Sequence, residues 1–194
     1  MASKPAAKSI SKAKAQATPA LLFFTADEGA LVAAIAGRLI PRDGDSPGAQ
    51  EAGAMVYIDR AIAGYFSSLQ VLYREGLGLI DRLARARYAT GFADLAEAEQ
   101  DDILRAIESA DGLEGSPRAA QFFAVILEHT IEGTFGDPIY GGNRDAIGWK
   151  MIGFPGAQTG YTAEQMMAGA ALKPIPIKTL ADLQATAVNT KSRG

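Results

Sequence analysis

The chain has 194 residues, of which 48% are hydrophobic and 21% are charged, as expected for one globular domain with a real core. Its net charge of −3 is unevenly distributed, because residues 21–172 carry 21 acids against 11 bases. Nucleic-acid affinity depends on clustered Lys and Arg, so this acidic body predicts no nucleic-acid partner. The absence of cysteine excludes disulfides and thiolate-held cofactors, and no apolar run is long enough to predict a transmembrane segment.

Both ends of the chain are predicted to lie outside the folded domain. Residues 1–20 are rich in Ala, Lys and Ser and have few apolar groups to offset the entropy of ordering, so we expect a disordered basic segment. No long apolar stretch follows it and no twin-arginine pair occurs, so the sequence as given predicts no export signal. Residues 173–194 are expected to form an extended tail, which leaves 21–172 as a single helical domain.

Helical signals begin with Thr25-Ala26-Asp27-Glu28, which has the residues of a capping box, and the helix it starts should end at Pro41. Pro47 suits the first turn of a second helix. From Ala54 to Ala84, apolar residues recur every three or four positions, and the pattern breaks near residues 64–68. This stretch therefore predicts two consecutive amphipathic helices.

Further helices are predicted in the second half of the chain. The acidic run from Glu97 to Asp102 is typical of a helix start, and Ser116-Pro117 should cap the last main helix, whose apolar face includes Phe122 and Ile126. Thr162-Ala163-Glu164-Gln165 predicts one more brief helix. Since no strand alternation persists, we expect an all-α fold: a bundle of about five main helices.

Residues 133–160 are rich in glycine and aromatic residues and show no helical period, which predicts a long irregular loop. Its aromatic content argues against disorder. Large aromatic side chains and an arginine in a rigid loop are typical of the centre of a protein interface, and they make up the candidate partner-binding set: Phe135, Tyr140, Asn143, Arg144, Trp149 and Phe154. An equally weighted alternative is that the loop covers its own bundle.

A search for catalytic groups predicts no catalytic, metal or cofactor-binding residue in this chain. Gly76-Leu77-Gly78 lies within a helical pattern and indicates close helix packing, because a dinucleotide site needs a third glycine and a preceding strand. His129 is the single histidine, which rules out a site built from several imidazoles. Glu128 and Glu132 are interpreted as a solvated or interface face rather than a catalytic pair, and His129 and Glu132 are expected to form a local hydrogen bond.

Three motifs lie close together: His-Thr-Ile-Glu-Gly at 129–133, Asp-Pro-Ile-Tyr-Gly-Gly-Asn-Arg-Asp at 137–145, and Gly-Trp-Lys-Met-Ile-Gly-Phe-Pro-Gly at 148–156. Together they resemble the gluconate 2-dehydrogenase subunit 3 family. Shorter segments around Thr25, Pro41, Pro47 and Asp59 also fit the family pattern, so the resemblance covers about residues 22–160.

The resemblance implies a small subunit without catalytic activity, which assists the maturation of a larger complex. In such complexes a flavoprotein of the glucose-methanol-choline type holds FAD and oxidises an alcohol group of a sugar or sugar acid. A cytochrome c subunit with haem c is a possible third component. The family implies a periplasmic or membrane-associated location, but the small subunit commonly carries a twin-arginine signal, and this sequence departs from that pattern. A removed signal, export on a partner's signal and a cytoplasmic location therefore all stay open.

Two alternatives to a purely accessory subunit also stay open. In the first, the loop reaches into the partner's substrate cleft, where Tyr140, Asn143 or Arg144 would bind sugar hydroxyls. In the second, the chain is a free-standing helical interaction protein with an unrelated partner.

Overall fold

The computed structural model describes residues 20–110, 118–167 and 175–191, and its fold is all-α as predicted. The described residues form α1 (Ala26–Leu39), α2 (Ala49–Ala52), α3 (Ala54–Ala63), α4 (Gln70–Tyr88), α5 (Glu97–Ser109), α6 (Ala119–Phe135), α7 (Ile147–Ile152) and α8 (Leu180–Lys191). Helices α1, α3, α4, α5 and α6 supply most of the buried core, which confirms the predicted bundle of five main helices. None of the helices in these ranges combines the length and apolar character that a bilayer crossing demands.

The predicted start of α1 is confirmed in atomic detail. The Thr25 hydroxyl accepts a hydrogen bond from the Glu28 amide at 3.2 Å, and the Glu28 carboxylate accepts one from the Thr25 amide at 2.9 Å. Each side chain thus satisfies an amide that the first turn would otherwise leave without a partner. The expected break between the next two long helices is also present, because α3 ends at Ala63 and α4 starts at Gln70. The predictions for residues 1–19 and for Ser116-Pro117 lie outside the described residues.

The segment before α1 is fixed to the bundle by Asp59, a residue whose role the sequence did not reveal. Asp59 on α3 is buried, and its carboxylate accepts hydrogen bonds from the amides of Leu22, Phe23 and Phe24 at 2.6, 3.0 and 2.9 Å. A buried carboxylate is tolerated when several donors compensate for its lost hydration, and three consecutive amides do so here. The N-terminal end of the described domain is therefore held by one side chain of α3.

Two glycines allow helices to approach closely. Gly76 of α4 lies under the ring of Phe122, where an added methyl group would overlap the ring. This contact confirms that Gly76 serves helix packing. Gly133 near the end of α6 lies against Ala54 at the start of α3, and a β-carbon there would come within 2.9 Å of the Ala54 backbone. This close crossing brings the end of α6, where the loop begins, against the start of α3.

The predictions for residues beyond α6 need three corrections. The region 133–160 is not wholly irregular, because α6 continues to Phe135 and α7 forms within it. Residues 163–166 form a single turn rather than a helix, although the Thr162 amide does donate to Gln165 Oε1 at 2.8 Å. The tail is not extended throughout, since α8 occupies Leu180–Lys191. The amide and hydroxyl of Thr179 both donate to the Asp182 carboxylate at 2.8 Å, a helix-start signal that the sequence interpretation missed.

The segment before α8 also packs onto the loop. Lys178 pairs with Gly156 in an isolated parallel bridge, and the Lys178 carbonyl accepts a hydrogen bond from the Ala157 amide at 2.7 Å. The Leu180 amide donates to the Asp137 carboxylate at 2.8 Å. The loop is consequently held from two directions, by α6 on one side and by residues 178–180 on the other.

Candidate functional site

Asn143 holds the first half of the loop in shape. Its side chain has no exposed surface; Nδ2 donates to the Gly136 carbonyl at 2.7 Å, and Oδ1 accepts from the Gly148 amide at 2.8 Å. Its own amide donates to the Gly133 carbonyl at 2.7 Å. The residue adopts a left-handed conformation (φ 43°, ψ 46°), which asparagine tolerates better than most residues. Asn143 therefore ties the end of α6 to the start of α7.

Trp149 of α7 performs a similar task in the second half of the loop. The residue is only 4% exposed, and its indole nitrogen donates to the Phe135 carbonyl at 2.6 Å. Phe154 packs edge-on against it with ring centroids 5.2 Å apart. Trp149 and Asn143, two of the candidate partner-binding residues, are therefore already buried against the chain's own residues, and their role in partner binding stays a prediction. In this respect the alternative that the loop covers its own bundle is partly right.

The remaining candidates are more accessible. Tyr140 is 57% exposed and Phe154 is 44% exposed, while Arg144 is exposed and Phe135 is half-buried. These side chains project from a loop whose backbone is fixed by internal hydrogen bonds. A rigid, exposed aromatic side chain suits binding, because little conformational entropy is lost when a partner covers it.

Exposed large apolar side chains are concentrated in this region. Thirteen of them occur among the described residues, and eight fall between residues 139 and 167: Ile139, Tyr140, Met151, Ile152, Phe154, Tyr161, Met166 and Met167. We call these eight the exposed apolar set. Single apolar residues on a surface are ordinary, but a concentration in one segment is typical of a binding surface.

Two arginines link the loop to α3 in a reciprocal arrangement. The guanidinium of Arg144, in the loop, lies against Gly53 at the start of α3, and the guanidinium of Arg60, on α3, lies against Gly141 in the loop. Both glycines have positive φ, 72° and 105°, so the backbone itself disfavours a side chain at either position. A β-carbon at Gly141 would come within 2.7 Å of the Arg60 guanidinium. The two glycines therefore provide the room in which the two guanidinium groups sit.

The polar residues of α6 are engaged in structural hydrogen bonds. His129 is buried, its Nδ1 lies 2.8 Å from the Tyr73 hydroxyl, and its ring stacks on Phe66 with centroids 4.6 Å apart. Glu132 accepts a hydrogen bond of 2.6 Å from the Tyr57 hydroxyl. The predicted hydrogen bond between His129 and Glu132 is therefore wrong, because each residue pairs with a tyrosine from another helix.

Burial also sets the protonation of these groups. Desolvation lowers the pKa of His129, although the nearby charges of Glu132 and Glu128 act in the opposite direction. Burial, followed by the hydrogen bond to Glu132, raises the pKa of Tyr57 above its ordinary value. Near neutral pH the imidazole is accordingly uncharged and the phenol protonated. The His129–Tyr73 and Glu132–Tyr57 hydrogen bonds therefore link α6 to α4 and to α3, respectively.

The described residues contain no strand leading into a glycine turn, and Gly76, the first glycine of the Gly-Leu-Gly sequence, is covered by Phe122. No group of three or more His, Asp or Glu side chains in these ranges is arranged to hold a metal ion.

The chain matches a known family model. The model described as gluconate 2-dehydrogenase subunit 3 matches residues 26–156, from the first residue of α1 to the glycine beside Trp149. The matched region includes α1 to α7 and nearly the whole loop. No curated protein and no solved structure matches the chain.

Proposed function

Because the chain belongs to the gluconate 2-dehydrogenase subunit 3 family, we propose that it is the non-catalytic small subunit of a flavin-dependent sugar or sugar-acid dehydrogenase complex. In this proposal the chain binds the large catalytic flavoprotein, stabilises it and assists its assembly or export. The large subunit is of the glucose-methanol-choline type and holds FAD, and a cytochrome c subunit carries haem c. The complex works in the periplasm or at the membrane.

One observation supports this proposal most strongly: five of the eight residues of the exposed apolar set lie within the loop 133–160, whose backbone is held by internal hydrogen bonds. Asn143 and Trp149 lock the loop by hydrogen bonds to Gly136, Gly148 and Phe135. Tyr140 and Phe154 nevertheless stay exposed. Tyrosine is among the residues enriched in interface hot spots, and a preformed loop reduces the entropy lost on binding.

The polar residues near the loop support a role in binding rather than catalysis. His129 is stacked on Phe66 and bonded to Tyr73, so no surface is left on which it could face a substrate while keeping these contacts. Glu132 is bonded to Tyr57. A general base must come within hydrogen-bonding reach of the proton that it removes, and the buried His129 is not placed to do so.

The proposal is tested by producing the chain together with the flavoprotein subunit and purifying through a tag on the small chain. We expect both chains to elute together with flavin absorbance in proportion to the large subunit. The tagged chain produced alone should elute without flavin and without dehydrogenase activity. Elution of the tagged chain free of the large subunit would contradict the proposal and would favour a free-standing interaction protein.

A second candidate function is that the loop contributes to the partner's substrate cleft. The geometry reduces the number of loop residues that could contact a substrate there. Both ends of the Asn143 amide are engaged within the chain, so only Tyr140 and Arg144 of the three proposed residues have accessible side chains. In an assembled complex, a Tyr140→Phe change that raises KM for the sugar without weakening assembly would favour this candidate. Unchanged kinetics would favour the purely accessory role.

A further inference from the structure

A groove of about 760 Å³ lies between α1, the start of α3 and the first half of the loop. Small or apolar residues form most of its lining, which also contains two arginines; the residues used below are Ala33, Ala34, Gly53, Arg60, Gly141 and Arg144. We call this surface the arginine groove. Its volume lies within the range of about 300–1,000 Å³ that is usual for binding clefts, and a mainly apolar lining with a few polar groups is their usual composition.

The charge of the arginine groove distinguishes it from its surroundings. Its charged lining consists of Arg60 and Arg144 alone, whereas three other concavities on the described surface each include aspartate or glutamate. This occurs in a domain whose residues 21–172 carry 21 acids against 11 bases. A cationic groove on an otherwise acidic surface attracts an anionic group, and no acidic side chain in its lining repels that group.

Each guanidinium group lies against a glycine of the other element: Arg60 of α3 lies against Gly141 in the loop, and Arg144 of the loop lies against Gly53 at the start of α3. Within the described residues Arg60 forms no ion pair, which leaves its donors available to an incoming carboxylate. A guanidinium can bind a carboxylate through two parallel hydrogen bonds.

We propose that the arginine groove receives an acidic segment of the flavoprotein subunit, with a carboxylate of that segment on Arg60 and the positive charge of Arg144 adding to the attraction. This inference rests on the proposed function and specifies a second contact beside the exposed apolar set. The groove is continuous with the loop, because Gly141 and Arg144 belong to both. Its small side chains at Ala33 and Ala34 allow a polypeptide backbone to approach closely, as a protein segment requires. The loop supplies apolar contact area, and the groove supplies charge selection and orientation.

The first experiment reverses the charge at each arginine and measures binding of the purified flavoprotein subunit. We expect Arg60→Glu and Arg144→Glu each to weaken binding at least about tenfold, and the loss to shrink as salt screens the charges. Arg82→Glu is the matched control, because Arg82 is exposed on α4 and does not line the groove. Thermal melting of each variant shows whether it is still folded. Arg60→Gln and Arg144→Gln, which remove the charge without reversing it, provide milder variants for the same comparison.

The second experiment places a photo-crosslinking amino acid at Ala33 in the groove and, as a control, at Ala98, which is exposed on α5. The inference expects a crosslink from position 33 to an Asp- or Glu-rich segment of the flavoprotein, and none to that segment from position 98. A crosslink to a second copy of this chain, or to a segment without acids, would overturn it. So would saturable binding of gluconate by the isolated chain that is lost in both glutamine variants, since the groove would then be a small-molecule site.

The two proposals fail in different ways. If wild-type chain does not bind the flavoprotein at all, the proposed function falls, and the groove inference falls with it. If wild type binds and the folded charge-reversal variants bind equally well, only the groove inference is overturned.

Discussion

The indole nitrogen of Trp149 donates a hydrogen bond of 2.6 Å to the carbonyl oxygen of Phe135, so the middle of α7 is tied to the last residue of α6. Trp149 is nearly fully buried in the isolated chain, which makes it a structural residue of the loop. Trp149→Ala should therefore lower the free energy of unfolding by about 3–5 kcal/mol. Trp149→Phe keeps most of the apolar area but loses the hydrogen bond, and should cost about 1–3 kcal/mol. Thermal or urea melts of the two variants check this order; a wild-type melt for Trp149→Ala would refute the assignment.

Asp59 is predicted to control the attachment of residues 22–24. Asp59→Asn keeps the shape of the side chain but replaces one acceptor oxygen with a donor that faces backbone amides, so we expect a loss on the order of 3 kcal/mol in unfolding free energy. Hydrogen exchange at the amides of Leu22, Phe23 and Phe24 should accelerate in the same variant. Asp45→Asn, in an exposed turn, serves as the control and should behave as wild type. Unchanged exchange at all three amides would show that Asp59 is not the anchor.

The stability of the chain should depend on pH through His129. Burial lowers the pKa of this imidazole below its ordinary value of 6.5, so the unfolded chain takes up a proton under conditions where the folded chain does not. The unfolding free energy should therefore fall as pH drops below about 6.5, until the folded pKa is reached. Carboxylates with lowered pKa, such as Asp101, lose their contribution at still lower pH.

His129→Gln isolates this effect because the chain contains no other histidine. Whatever its absolute stability, the variant should show a smaller change in unfolding free energy between pH 7 and pH 5.5 than wild type does. Equal changes in the two proteins would mean that His129 is protonated in the folded state as readily as in the unfolded chain.

Gly76 and Gly78 on α4 provide a matched pair of substitutions. An alanine methyl at Gly76 would overlap the Phe122 ring, so Gly76→Ala should destabilise the chain by about 1–3 kcal/mol. At Gly78 the new methyl would meet only the end of the Arg82 side chain, at 3.1 Å. Since alanine is the better helix former, Gly78→Ala should be neutral or stabilise by up to about 1 kcal/mol. Denaturant melts measure the unfolding free energy of both variants. Similar changes of the same sign in Gly76→Ala and Gly78→Ala would contradict the packing role of Gly76.

Local hydrogen bonds were predictable from the sequence where the two residues that form them lie close together in the chain. The capping pair of Thr25 and Glu28 is three residues apart, and the long helices follow from apolar periodicity. The same rule would have revealed the start of α8, because Thr179 and Asp182 have the same spacing. Its weak amphipathic pattern and the nearby Pro176 instead favoured an extended tail.

Long-range relationships were not predictable in this way. Asp59 meets amides 35–37 residues away, and His129 meets Tyr73 across the bundle, so neither partner can be identified from spacing. The loop shows the same limit. Its aromatic residues indicated a binding role as a group, but only the packing distinguishes the buried Trp149 from the exposed Tyr140.

The central claim is that exposed side chains of the loop bind the flavoprotein subunit, and the most direct test compares two tyrosines. Tyr140 lies in the loop and is 57% exposed, whereas Tyr65 lies between α3 and α4 and is 91% exposed. Truncating an interface anchor costs about 2 kcal/mol or more, or roughly a thirtyfold loss of affinity, while an exposed residue outside an interface contributes little.

The measurement is the dissociation constant of the purified flavoprotein subunit for Tyr140→Ala, alone and combined with Phe154→Ala, beside Tyr65→Ala. Melting of each free variant serves as the control for folding. We predict a loss of about thirtyfold or more for the loop variants and near wild-type affinity for Tyr65→Ala. Folded loop variants that bind as tightly as wild type, or an equal loss in Tyr65→Ala, would contradict the claim.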